Sequence, residues 1–199
     1  MNLKNKKLNN LIKKYKESFK YIKESKNYIY LIIILFILSS LIGFFMQTPS
    51  LLETKILEFI EEILTKTQGM NQLELILFIF LNNLQSTFIG ILSGIFFGII
   101  PLISSLSNGY LIGFVGEKTV NLEGIISLWR LLPHGIFELP AIFISLGLGL
   151  KIGCFIFNKN KKEYIKENIK KSLKVFFLII IPLLVIAAII EGSLIYLLS

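Results

Sequence analysis

His134, the only histidine of the chain, and Glu138 lie one helical turn apart inside the otherwise apolar residues 132–140. A protonatable pair of this kind suits a proton relay or a polar binding site. An ionised side chain near the centre of a bilayer costs roughly 2.5–3.5 kcal/mol, so such groups usually face the interior of a helix bundle. We therefore expect the pair to face inward, either as a functional or assembly site or as a satisfied structural pair.

Known catalytic patterns do not fit this pair. Zinc peptidases of the His-Glu-xx-His type need a second histidine, and one histidine with the single Cys154 cannot supply the usual closed zinc ligand sets. No serine is placed by sequence beside His134. We expect no catalytic residue, no bound metal and no cofactor, and hence a protein that is not an enzyme.

The composition predicts an all-α, polytopic membrane bundle. The chain has 199 residues, 54% of them hydrophobic, with 17 Phe and a mean hydropathy of +0.72. A span needs about 20 apolar residues, so there is room for about five transmembrane segments and no sizeable soluble domain. Residues 1–27 form a basic amphipathic cytoplasmic segment, and residues 28–199 form a single transmembrane domain.

The net charge of +8 is concentrated next to apolar spans, which argues against nucleic acid as a partner. Nine basic residues precede the first span and eight lie between the fourth and fifth, against two in each of two other connections. Basic loops stay in the cytoplasm. We therefore expect a multi-pass protein of the cell membrane with a cytoplasmic N-terminus and an extracytoplasmic C-terminus.

Apolar runs place the spans, and two flanking segments have helical periodicity. The basic N-terminal tract reads either as a helix on an anionic leaflet or as a solvated lead-in. A short acidic amphipathic helix is expected outside the membrane from Ser50, where Ser50 and Glu53 have the spacing of a capping box. The segment 101–116 is either re-entrant or fully spanning. The predicted spans are 28–46, 73–100, 101–116, 131–153 and 173–198.

Helical phase and topology together predict that polar residues of different spans lie close to one another. At about 100° per residue, His134 and Glu138 share one face of the fourth span with small residues, which mark helix contacts in membranes. Topology puts the polar groups of the second, fourth and fifth spans in the outer half of the bilayer. We predict one intramembrane polar cluster with a binding or assembly role, with Gln85, Glu117 and Arg130 at its rim. The cluster comprises Asn82, Asn83, His134, Glu138 and Glu191.

Glycines repeat at a spacing that lets membrane helices approach closely. Three of them, four residues apart, end the second span, and two end the fourth. We predict that these glycines pack helices together. They are Gly90, Gly94, Gly98, Gly149 and Gly153.

The most specific motif of the chain is Pro133-His134-Gly135 with Glu138 and Pro140. Supporting motifs are spread over the chain: Gly147-Leu148-Gly149, Asn82-Asn83, Pro101, Asn108-Gly109 before Gly113, and Ala187-Ala188 to Glu191-Gly192. Together these motifs resemble the stage II sporulation protein M family of integral membrane proteins. The resemblance implies a nonenzymatic scaffold, which in sporulating bacteria gathers cell-wall-degrading proteins at the septal membrane for engulfment. It brings no catalytic residues.

Two functions remain open. A scaffold or assembly factor would bind membrane or extracytoplasmic proteins through its acidic outer helix and glycine faces, and its interior should be closed and well packed. A small transporter or channel would use the polar cluster to line a water-filled cavity for a solute, an ion or a lipid head group. Both would contact the lipid bilayer, and a homo-oligomer is compatible with either.

Overall fold

A computed structural model describes the backbone of residues 3–198 and the side chains of residues 8–129 and 135–197. Every regular element in this part of the chain is helical, which confirms the all-α prediction. Short 3₁₀ segments cover Ser93–Ile95, Ile125–Leu131 and Cys154–Phe157. The α-helices are α1 (Leu3–Glu24), α2 (Lys26–Phe45), α3 (Ser50–Thr67), α4 (Gln72–Leu92), α5 (Ile99–Glu123), α6 (Leu132–Gly153), α7 (Lys161–Val175) and α8 (Ile181–Leu198).

Within residues 3–198, five helical stretches are long and apolar enough to cross a membrane, as predicted. The third segment was predicted to end near Gly116, and that end is wrong. Helix α5 has 25 residues, which at 1.5 Å per residue gives roughly 37 Å, more than the ~30 Å of hydrocarbon. The third segment is therefore long enough to span fully. The stretches are Lys26–Phe45, Gln72–Ile95, Ile99–Glu123, Gly135–Phe157 and Lys161–Leu197.

The second span ends earlier than the predicted residue 100. Two consecutive residues, Phe97 and Gly98, have φ values of 57° and 72°, in the left-handed region. A helix cannot continue through that conformation, so the chain reverses there. Pro101 lies in the first turn of α5, where its missing N–H costs no helical hydrogen bond. Helices α4 and α5 are thus joined by a tight turn.

The last span is longer than predicted, because α7 continues into α8 through a π-helical turn at Phe176–Ile180. The predicted start at residue 173 lies near the C-terminal end of α7. Pro182 lies inside this stretch, where proline usually kinks or breaks a helix, yet the helix runs on through α8. A proline ring inside a helix clashes with a carbonyl of the preceding turn. In this helix the preceding turn is the π turn, which is wider than an α turn and leaves room for the ring.

Helix α6 is the centre of the bundle. Half of its most apolar stretch is buried, against 28–39% in the other four spans. Ala141, Leu148 and Ile152 on α6 are fully buried. Helix α5 packs chiefly along α2, and α4 packs chiefly along α8, while both contact α6. Consecutive helices α4 and α5 therefore have different main partners.

The contact between α2 and α5 brings two backbones together. A Cβ on Gly113 would lie 2.8 Å from the carbonyl carbon of Ser40, so only glycine fits there. The hydroxyl of Ser105 on α5 donates to the carbonyl oxygen of Ile32 at 2.8 Å. Small residues and a serine hydrogen bond thus stabilise this pair, as is usual in membranes.

Helix α1 docks on α7 through its C-terminal turns. Tyr21 is only 4% exposed, and its hydroxyl donates to Oδ1 of Asn168 at 2.8 Å. Burial raises the pKa of Tyr21 above its ordinary value of 10.0. Apolar side chains earlier in α1, such as Leu8 and Ile12, remain exposed. The N-terminal tract is therefore a helix whose end is part of the bundle.

Candidate functional site

A cavity of about 740 Å³ lies between α4 and α5, with α6 and α8 contributing to its wall and α3 at one end. We call it the polar cavity. It lies where α4 and α5, each packed on a different partner, do not pack closely against each other. Most of its wall is apolar, with residues such as Leu75, Phe78 and Ile142, and polar side chains are set into that wall. The polar residues from the four spans are Asn82, Asn83, Ser86, Thr87, Ser93, Ser104, Asn108, Glu138, Ser145 and Glu191.

Two carboxyl groups from the membrane-spanning helices line the polar cavity. Glu138, on α6, is 3% exposed, and Glu191, on α8, is half-buried beside the buried Ala187 and Ala188. A third carboxylate, Glu62 on α3, forms an ion pair with Lys66 at 2.6 Å, and both of these residues lie on the wall contributed by α3. Glu62 and Lys66 therefore offset each other's charge, and the other carboxyl groups of the described wall are those of Glu138 and Glu191.

Hydroxyl groups in the wall donate to the carbonyls of their own helices. Thr87 Oγ1 donates to Asn83 O at 2.7 Å, Ser93 Oγ to Gly90 O at 3.2 Å, and Ser145 Oγ to Ile142 O at 3.0 Å. Once its proton is used in this way, a hydroxyl can still accept a hydrogen bond. These three hydroxyls therefore offer acceptors to whatever enters, whereas the amides of Asn82 and Asn83 offer both donors and acceptors.

Exposed polar side chains lie at the side of the polar cavity. Asn82 and Ser86 on α4 and Asn108 on α5 are exposed within membrane-spanning helices. The Asn108 side chain donates to Ser104 O at 2.7 Å. Amides and hydroxyls facing hydrocarbon without partners are unfavourable. Their exposure is explained if this region holds water, a ligand or another polar surface.

The end of the polar cavity away from α3 is closed by glycine contacts between the α4–α5 turn and α6. A Cβ on Gly94 would lie 2.6 Å from the carbonyl carbon of Gly149, and one on Gly153 would lie 2.5 Å from Cα of Gly98. A Cβ on Gly90 would meet Cδ2 of Leu146 at 2.9 Å. All five glycines predicted to pack helices lie at this interface.

Four of the five residues of the predicted polar cluster line the one cavity: Asn82, Asn83, Glu138 and Glu191. The side chain of the fifth, His134, lies outside the described residues, and its backbone belongs to the first turn of α6. Their role in binding or assembly stays a prediction.

The predicted rim residues are placed elsewhere. Gln85 is exposed and does not line the polar cavity. Glu117 lies beside Lys118, whose Nζ is 2.7 Å from Oε1 of Glu53, so these side chains link α5 to α3. The side chain of Arg130 is outside the described residues. The rim prediction is wrong for Gln85 and Glu117, because one faces away and the other joins a different cluster.

The predicted cluster leaves out several polar residues of the wall. Helical phase places Thr87 on one face with Asn83, and Ser145 on one face with Glu138. Ser86, which follows Asn82 by one turn, was missed although the same spacing indicates a shared face. Ser104 and Asn108 are also one turn apart, but Pro101 and the polar residues between 104 and 108 have the composition of a turn, which hides that helical spacing.

Among the described residues, no three or more His, Cys, Asp or Glu side chains lie close enough together to hold a metal ion. The absence of a bound metal stays a prediction.

Comparison with known proteins places the chain in a family. The profile described as Stage II sporulation protein M matches residues 32–194. An uncharacterized protein of Methanocaldococcus jannaschii is 37% identical over 116 residues, which are 55% of this chain and 65% of the relative. A second uncharacterized protein of that organism is 36% identical over 138 residues, 66% of this chain and 61% of the relative.

The chain thus matches somewhat less than two thirds of the length of either relative. No solved structure gives a significant match. The family match covers most of the chain, including the five apolar helical stretches almost entirely. The chain is a multi-pass membrane protein that belongs to the stage II sporulation protein M family.

Proposed function

We propose that the protein binds a small cationic or donor-rich molecule in the polar cavity. The observation that carries this proposal is a 740 Å³ cavity inside a membrane bundle, with the carboxyl group of Glu138 buried in its wall. Small-molecule sites usually have volumes of about 300–1,000 Å³ and a few convergent polar groups on an otherwise apolar wall. The polar cavity has both properties.

The chemistry of the wall favours an amine over an anion. Glu138 and Glu191 are acceptors when ionised, and the hydroxyls of Thr87 and Ser145 keep only acceptor capacity after donating to backbone carbonyls. The lysine on the wall, Lys66, is already paired with Glu62. An ammonium group would match this wall, whereas a carboxylate or phosphate would be repelled. His134 belongs to the proposed site on the strength of its position in the sequence.

Access is proposed from the side of α3. The opposite end is closed where Gly94 meets Gly149 and Gly98 meets Gly153. Binding therefore needs no rearrangement, and full transport would require these backbone contacts to separate. We take binding as the basic activity and transport as an extension of it.

The orientation in the membrane follows from charge and from one contact. Helices α1 and α7 carry most of the basic residues, and the bond from Tyr21 to Asn168 places them together at one side of the bundle. Basic segments stay in the cytoplasm. The proposed arrangement has α1 and α7 inside and α3 outside, so the polar cavity is reached from outside a cell membrane.

The binding proposal is tested by thermal unfolding of the protein in lipid nanodiscs. Ethanolamine is compared with ethylene glycol, which has a hydroxyl in place of the amine. A ligand that binds only the folded state raises the unfolding temperature. Ethanolamine should do so for wild type and for Glu61→Gln, an exposed control on α3, and not for Glu138→Gln. Equal effects of both compounds, or an undiminished response in Glu138→Gln, would contradict the proposal.

A second candidate is the scaffold role that the family resemblance implies. It is favoured by α3, an amphipathic helix of 18 residues none of which is buried. Its exposed apolar residues include Leu57 and Phe59, and Glu58 and Glu61 are exposed on the same helix. Such a helix can bind an extracytoplasmic partner protein. Under this second candidate function, the partners are proteins of cell-wall remodelling.

The two candidates are separated by crosslinking in native membranes followed by purification. If the protein is a scaffold through α3, the double variant Glu58→Lys with Glu61→Lys should lose stoichiometric partners, while Glu138→Gln keeps them. Partners that survive the α3 change would count against this surface.

A further inference from the structure

A second groove lies at the opposite side of the bundle, between α1 and α7. It has a volume of about 600 Å³. Its wall combines Lys14 from α1 with Lys166, Lys170 and Lys174 from α7, and an apolar strip that includes Leu173 and Phe177. We call it the basic groove. The three lysines of α7 are four residues apart and therefore share one helix face.

Most of the charge in the basic groove is not neutralised within the protein. Among the described side chains, Lys14, Lys166 and Lys170 form no ion pair with a carboxylate. Neighbouring lysines differ, since Lys174 is 3.3 Å from Glu17 and Lys171 is 2.6 Å from Glu167. Like charges one turn apart destabilise a helix slightly. An anion from outside would relieve that repulsion.

The apolar strip specifies the kind of anion. Phe177 is 61% exposed, and it follows Lys174 at the point where the long helix becomes continuously apolar. The basic groove therefore crosses the boundary between the polar and hydrocarbon layers, with ammonium groups on one side and an aromatic ring on the other. A nucleic acid or a free phosphate would use the lysines and leave the apolar strip uncovered.

We propose that the basic groove binds one anionic phospholipid of the adjacent leaflet. Its phosphate lies among Lys14, Lys166 and Lys170, and an acyl chain follows Leu173 and Phe177. Basic pockets at membrane-spanning helices on the cytoplasmic side are suited to anionic head groups. The site is independent of the polar cavity, which lies between other helices.

The test is native mass spectrometry of protein extracted from vesicles containing equal amounts of phosphatidylglycerol and phosphatidylcholine. The variant Lys14→Gln/Lys166→Gln/Lys170→Gln is compared with Lys13→Gln/Lys159→Gln/Lys161→Gln. The control triple removes the same charge on the same side of the bundle, at lysines that do not line the groove. Circular dichroism and gel filtration establish that both variants are folded.

Wild type and the control triple should retain one phosphatidylglycerol in preference to phosphatidylcholine. In the variant Lys14→Gln/Lys166→Gln/Lys170→Gln, the groove triple, that preference should fall at least about tenfold. Each lysine near the membrane surface contributes to the attraction for an anionic head group. Phe177→Ala should weaken retention without changing charge. Equal loss in both triples, full displacement by inorganic phosphate, or retention in the groove triple would each overturn the proposal.

Discussion

Replacing Gly94 with alanine should separate the α4–α5 turn from α6. The added Cβ would lie 2.6 Å from the carbonyl carbon of Gly149 and 2.8 Å from its Cα, in addition to a closer approach to the Gly149 carbonyl oxygen. These are backbone atoms, so no change of side-chain rotamer relieves the overlap. The backbones themselves must move apart.

The size of the effect follows from that movement. Ordinary contact begins near 3.4 Å, so the pair at 2.6 Å must separate by at least about 0.8 Å. A gap of that size forfeits roughly a quarter to a half of the dispersion attraction of neighbouring contacts. Overpacking of this kind costs about 1–3 kcal/mol. Because the obstruction is rigid backbone, we expect a loss of about 2–3 kcal/mol.

Reversible unfolding in mixed micelles with increasing dodecyl sulfate, followed by far-UV circular dichroism, measures this loss. Gly135→Ala is the matched control, because a Cβ there would meet Cδ1 of Leu139 at an ordinary 3.8 Å. The control should stay within about 1 kcal/mol of wild type. Equal stability of the two variants would refute the reasoning that a backbone contact at Gly94 closes the polar cavity.

Two further predictions concern single side chains. Burial raises the pKa of Tyr21 above 10.0, so the folded state favours the neutral phenol. The contribution of Tyr21 to folding stability is therefore complete below about pH 10, and it is lost as the pH rises further. Stability measured between pH 8 and 12 (about two units either side of that value) should fall more steeply for wild type than for Tyr21→Phe, and parallel curves would contradict this. Ser105→Ala should cost about 0.5–1.5 kcal/mol, because it leaves the Ile32 carbonyl without its interhelical donor. The same micelle titration measures it, with the exposed Ser107→Ala as a control that should cost nothing.

The helical architecture could be predicted because long apolar runs have few alternatives in a bilayer. The errors arose where polar residues lie inside spans. Ser104, Ser105 and Asn108 have the composition of a turn, yet they lie within α5. There the Asn108 side chain donates to the Ser104 carbonyl of its own helix, and the Ser105 hydroxyl donates to the Ile32 carbonyl of α2. Local composition does not reveal such partners, and it therefore predicts a shorter third segment than the structure has.

The candidate site was accessible from sequence only in part. Asn83, Glu138 and Glu191 could be brought together from topology and helical phase. The polar cavity itself could not, because it depends on α5 packing along α2 while α4 packs along α8. That choice of partners is made by contacts far apart in the chain, such as Gly113 with Ser40.

The most direct test of the central claim is whether water reaches the polar cavity. In a Cys154→Ser background, Ser86→Cys on the cavity wall is compared with Leu81→Cys, an exposed residue of α4 that does not line it. Residue 81 is closer to the α3 side, so depth alone would favour its reaction. A membrane-impermeant charged methanethiosulfonate should label Ser86→Cys and spare Leu81→Cys. Labelling of neither, or of Leu81→Cys in preference, would contradict a water-accessible polar cavity.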